Sequence, residues 1–152
     1  MMVVALLSGQ ALSAETQPDP ERAAKYYAQA MEYLDQKDRW YDAAVLLKKA
    51  AKEMDQASEE ASRTLRFAGH VFSQVKSYSR AQSALEDAGE LALARGDLSE
   101  AATSFVEAAH VAVARGRRAD VEDLVDRVRL ITASPLLSEA EKGRLRHLVA
   151  AA

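Results

Sequence analysis

The chain is 152 residues long, with 20 Lys and Arg against 23 Asp and Glu, three prolines, six glycines and no cysteine. A net charge of −3 argues against a surface built to displace phosphate counterions, so no nucleic-acid partner is expected. No apolar run reaches the roughly 18–20 residues that span a bilayer, and 31 alanines within 49% apolar residues predict one nearly all-helical domain with a sizeable core.

Residues 1–14 (MMVVALLSGQALSA) carry no charge, and the apolar stretch Met1–Leu7 gives way to small and polar residues. This is the order of a secretory signal peptide, with cleavage after Ala14 or Ala11, followed by a polar spacer over residues 15–20 (ETQPDP). The basic n-region is missing, and Leu12 is large for its place two before Ala14. A ragged apolar terminus or a short buried helix is the alternative. The expectation is an exported chain, periplasmic or extracellular. Without cysteine it has neither a lipid anchor nor a disulfide, and its core alone must hold it.

Beyond the spacer, helix start and stop signals recur at an even beat. Asp19-Pro20 is an N-cap followed by proline at the first helical position, and Asp38-Arg39, Ser58-Glu59-Glu60 and Ser77 mark later breaks. Gly96-Asp97-Leu98-Ser99-Glu100 joins a C-terminal glycine to a capping box, Gly116-Arg117 breaks the next segment, and Ser138–Glu141 is a second box. These signals lie 19 to 21 residues apart. Between them the apolar residues keep helical period, as in Leu65/Ala68/Val71/Phe72/Val75. Seven helices of similar length with short turns must pack antiparallel to their neighbours, as in a helical-hairpin solenoid.

The order Leu65, Ala68-Gly69, Phe72, then Tyr78, Ala81, Leu85, Ala88 resembles the tetratricopeptide repeat. Small pairs let two helix backbones approach, and large residues fill the grooves beside them. Ala68 and Gly69 are therefore expected at the closest helix–helix approach of the domain. Tyr27, Ala30-Met31, Leu34, Trp40, Ala43, Leu47, Ala50 repeats the pattern with Met31 in place of a small residue, and Phe105, Ala108-Ala109, Ala112, Val121, Val125, Val128 repeats it more weakly. Hairpin starts 38 and 40 residues apart exceed the family's usual length of about 34, so the resemblance is tetratricopeptide-like, over residues 21–132. It implies an all-α right-handed superhelix over residues 21–152, with hairpins at about 21–56, 58–95 and 98–132 and a capping helix at 138–151. Leu85, Ala88-Gly89, Ala92, Ala101, Phe105, Ala108 fits the same pattern in the opposite phase, which would exchange the two faces.

The residues show no catalytic constellation. His70, His110 and His147 lie in three helices without a second ligand at metal-binding spacing, and there is neither a phosphate loop nor a Gly-x-Ser-x-Gly elbow. No cofactor, metal or enzymatic activity is expected. In the favoured phase the resemblance places Lys25, Ala28, Glu32, Asp35 and Gln36 on a concave face. Arg63, Arg66, His70, Ser73 and Gln74 follow from the second hairpin, then Thr103, Val106 and His110 from the third. Arg63 and Arg66 are the expected anchors for a partner carboxylate. Tyr26, Tyr33 and Tyr41 are left as packing or as an interaction patch. The expectation is a non-enzymatic scaffold of the cell envelope that binds a protein or peptide in this groove; small-ligand binding, an enzymatic domain or an end-to-end oligomer are the alternatives.

Overall fold

A computed structural model of the chain describes residues 17–151; residues 1–14, read above as a leader, lie outside this range. Seven α-helices follow in order: α1 Pro20–Leu34, α2 Trp40–Lys52, α3 Glu59–Gln74, α4 Tyr78–Ala94, α5 Leu98–Ala114, α6 Arg118–Thr132 and α7 Glu139–Ala150, with a 3-10 turn at Lys37–Arg39 before α2. Each helix from α1 to α6 packs on the next, which makes an all-α helical-hairpin solenoid. Side-chain bonds between alternate helices define two layers. Arg66 and His70 of α3 reach Glu107 of α5, while Gln82 of α4 reaches Asp120 of α6 and Arg127 of α6 reaches Glu90 of α4. Thus α1, α3 and α5 lie in one layer, and α2, α4 and α6 in the other.

Local chemistry explains where the helices begin. The side chains of Asp19, Ser58, Asp97 and Ser138 accept hydrogen bonds from the backbone N–H groups of Arg22, Ala61, Glu100 and Glu141. The reciprocal half of the two expected capping boxes is spent elsewhere: Glu100 takes bonds from Ser62 and Arg95, and Glu141 takes one from Ser99. The helices end just as regularly. At Lys76, Gly96 and Gly116 the backbone turns left-handed, with φ of 61°, 81° and 69°. Each of these ends closes the same pair of bonds, for example Asp97 N–H to Ala92 carbonyl at 2.9 Å and Gly96 N–H to Leu93 carbonyl at 3.0 Å. Lys76 bears the steric cost that glycine avoids at the other two sites.

The close approaches recur every twenty residues. A Cβ built on Gly69 would stand 2.7 Å from Leu85 Cγ, and one built on Gly89 would stand 2.5 Å from Phe105 Cε1. The tightest approach is therefore not confined to Ala68-Gly69; Gly89, in the opposite phase, is at least as close. Both phases are packed because each central helix presents one small pair to the following helix and inserts one large residue into the preceding helix. Leu85 and Phe105, nearly inaccessible at 1% and 0%, are those inserted residues. Met31, the departure from the small-residue pattern, is 43% exposed and so is not enclosed between helices as Ala68 and Gly69 are.

The tyrosines left over from hairpin packing are engaged within the fold. Tyr26 packs on the cluster of Ala23, Ala50, Met54 and Ala61. Tyr33 accepts a bond from Gln29 at 3.2 Å and carries the Arg39 guanidinium 4.2 Å above its ring. Tyr41 meets Phe72 edge-on at 5.7 Å.

Two substitutions separate these effects. Gly89→Ala should gain roughly 1 kcal/mol from helix propensity, but the collision with Phe105 should reverse the sign and lower stability by about 1–3 kcal/mol. Lys76→Gly should raise stability by about 1 kcal/mol by relieving the left-handed turn. Urea unfolding of both variants beside the parent checks the pair, and a stabilised Gly89→Ala would mean that α4 and α5 lie further apart.

Candidate interaction surface

The outer surface of the α1–α3–α5 layer carries the side chains singled out from the sequence. On α1 and the turn after it, Lys25, Glu32, Asp35 and Gln36 are exposed; on α3, Arg63, His70 and Gln74 are exposed, while Arg66 and Ser73 are half-buried. Arg63 is paired along its own helix with Glu59. On α5 the surface is closed. Val106 is 2% exposed and Thr103 is buried, while His110 is half-buried with its Nε2 3.2 Å from the Leu148 carbonyl oxygen.

The cover is α7. Ser99 donates to Glu141, Arg144 donates to Thr103 at 2.9 Å, and His110 meets Leu148, so α7 runs parallel to α5 along the same surface. Leu145 is fully buried beneath it and stands 40 residues after Phe105, as Phe105 stands 40 after Leu65. α7 therefore takes beside α5 the place that α5 takes beside α3. The helix expected to shield the end of the solenoid also covers the part of the expected groove on α5.

Between α3 and α5 the charges are tied to one another. Arg66 Nε donates to Glu107 at 2.8 Å, its terminal nitrogen bonds the other carboxylate oxygen, and His70 Nε2 lies 2.7 Å from the first. Burial alone would push the Glu107 carboxyl up. The hydrogen bonds from Arg66 and His70, with their charges, outweigh it and hold the group at about 2. The Arg66 guanidinium is correspondingly raised by its bond to Glu107. A few residues away, Arg95 in the α4–α5 turn bonds Glu100, the Ser62 hydroxyl at 3.0 Å and the Ser58 carbonyl at 3.1 Å. Arg66, expected to reach a partner's carboxylate, already has one of its own in Glu107. In the sequence Glu107 stands three before His110 and shows no link to Arg66. Its true partner lies 41 residues away, a spacing that becomes meaningful once the 40-residue hairpin repeat is laid over the charges.

Among the described residues no group of three or more His, Cys, Asp or Glu side chains is placed to hold a metal ion, and no helix is long and apolar enough to cross a membrane. A solenoid of this kind has the architecture of helical-repeat interaction modules. The family model for soluble NSF attachment proteins, SNAP, matches residues 7–116, and the chain belongs to that family. The match begins inside the segment read as a leader and ends at the turn before α6. At the level of a helical-hairpin repeat it agrees with the tetratricopeptide-like pattern. No curated protein and no solved structure matches the chain.

Glu107→Gln tests the ion cluster. Its carboxyl is held below the ordinary 4.5, so the cluster stabilises the fold above that pH and loses this contribution as pH falls towards 2. At pH 7 the variant should be less stable by about 1–3 kcal/mol. The gap to the parent should narrow between pH 4.5 and 2, as read by thermal melts across that range. A gap that stays constant would show that Glu107 is not held ionised by Arg66 and His70.

Proposed function

We propose that this protein is a non-enzymatic interaction module that binds a protein or peptide partner on the open part of the α1–α3 surface, as an exported scaffold of the cell envelope. The observation that carries this reading is a helical layer whose outer strip, at Lys25, Glu32, Asp35, Gln36, Arg63 and Gln74, is exposed. Membership of a family named for attachment to another protein supports the same kind of role, that of an adaptor. The uncharged leader-like segment supports export. The α5 part of the strip drops out of the binding face because α7 lies on it, and Arg66 and His70 drop out because Glu107 holds them both.

The test is a charge reversal confined to the open strip. Glu32→Lys/Arg63→Glu should leave the unfolding free energy within about 0.5 kcal/mol, as exposed substitutions do. Capture of partners from an envelope fraction of the source cell should fall, with binding weakening as salt rises. Capture that survives this change and fails on Lys48→Glu/Arg118→Glu would move the binding face to the α2–α4–α6 layer. N-terminal sequencing of the protein recovered from that fraction should begin near Leu12 or Glu15, and an intact Met1 in the cytosol would overturn export.

A further inference from the structure

The solenoid has two equivalent junctions in its first layer, α1 against α3 and α3 against α5, and they are filled differently. At the second, Ser62, Arg66 and His70 of α3 meet Glu100 and Glu107 of α5, and Arg95 from the preceding turn closes the gap. At the first, the equivalent residues 38 positions earlier on α1 are Ala24, Ala28 and Glu32. Facing them, 40 positions before Glu100 and Glu107, stand Glu60 and Phe67. The turn corresponding to the one that carries Arg95 runs from Glu53 to Ser58 and holds Asp55 but neither Lys nor Arg.

Among the described residues the consequence is open space. Two open cavities of about 440 and 390 Å³ lie along this junction and share Tyr27 and Glu60 in their walls. The first is floored by Ala23, Ala24, Tyr27, Ala28 and Met54 and rimmed by Asp55, Ser58 and Glu60. The second is lined by Tyr27 and Phe67, with Glu59, Glu60 and Arg63 at its edge. Across both, three carboxylates face one cation, and that cation is already paired with Glu59.

The geometry points to a docking site for a basic, amphipathic segment of a partner protein, in which an Arg or Lys side chain meets Glu60 and Asp55 while a large apolar residue one helical turn away fills the furrow over Ala24, Ala28 and Tyr27. The argument is one of internal complementarity. The chain's own Arg95 and Arg66 complete the second junction, and the first has the same glutamate on the α3 side without the guanidinium. A cation there gains charge-assisted bonds that the described residues leave open, and the apolar floor supplies the anchor typical of a helix laid in a groove. This site rests on the interaction-module reading above and narrows it to one junction and one partner chemistry.

The probe is a fluorescein-labelled synthetic peptide with Leu and Arg four residues apart on one helical face and Ala elsewhere, beside a control in which each Arg is Glu. The full chain should bind the Arg peptide and not the Glu peptide, by anisotropy, with amide shifts confined to α1, α3 and the turn between α2 and α3. Glu60→Gln should weaken binding by about tenfold. Ala28→Leu, which fills the furrow from an exposed position, should abolish it while the circular dichroism melt stays that of the parent. Equal binding of the two peptides, no binding of the Arg peptide, or binding unchanged by Ala28→Leu would each overturn the site. If an envelope partner is captured equally by the parent and by Ala28→Leu, yet lost on Glu32→Lys/Arg63→Glu, the furrow is wrong and the module reading stands. If none of these proteins captures a partner, the module reading itself falls.

Discussion

The spacing between helix backbones governs this molecule. Gly69 receives Leu85 and Gly89 receives Phe105 at distances that would leave no room for a methyl group, so the large residue of each helix is sized to the small residue of the one before. Because the contact repeats every twenty residues, helix follows helix at a constant offset, and the two layers arise without any long-range instruction. The turns obey the same period. Lys76, Gly96 and Gly116 reverse the chain through one bonding scheme, so each helix arrives in register for the next insertion.

Charge acts at a second level, between helices that are neighbours in a layer but 40 residues apart in the chain. The Arg66–Glu107–His70 cluster and the Arg95–Glu100–Ser62 bonds join α3 to α5, and Arg115 and Gln82 with Asp120 join α4 to α6. Such half-buried pairs gain more than exposed ones because water screens them less, and removing one partner leaves the other stranded. They also set which parts of the surface remain available. Where the cluster is present the junction is closed; where alanines replace it, at α1, the junction is open among the described residues.

The last helix shows how a repeat can limit its own surface. α7 buries Leu145 and satisfies Ser99, Thr103 and His110 of α5, the positions whose counterparts on α3 stay exposed or half-exposed. A solenoid binds through surface that its next helix does not cover, so the extent of the binding strip depends on where the helices stop as well as on what they display.

Helix boundaries, caps and hairpin pairing were legible in the sequence because each depends on residues within a few positions of one another: Asp19 and Ser58 start helices, Gly96 and Gly116 end them, and the apolar period marks the packed side. The small–large order also showed that both phases of the pattern could pack. Tertiary structure alone decided which polar residues are spent. Arg63 and Arg66 look alike in the sequence, three apart on one helix, yet Arg63 stays at the surface while Arg66 turns to a carboxylate 41 residues on. Lys25 and Thr103 read as members of one groove, yet Thr103 lies beneath α7. The reason is range. Hydrogen-bonded caps and helical periods are short-range and leave their mark locally, whereas the partner of a half-buried charge, and the helix that covers it, are set by neighbours that only the folded chain brings together.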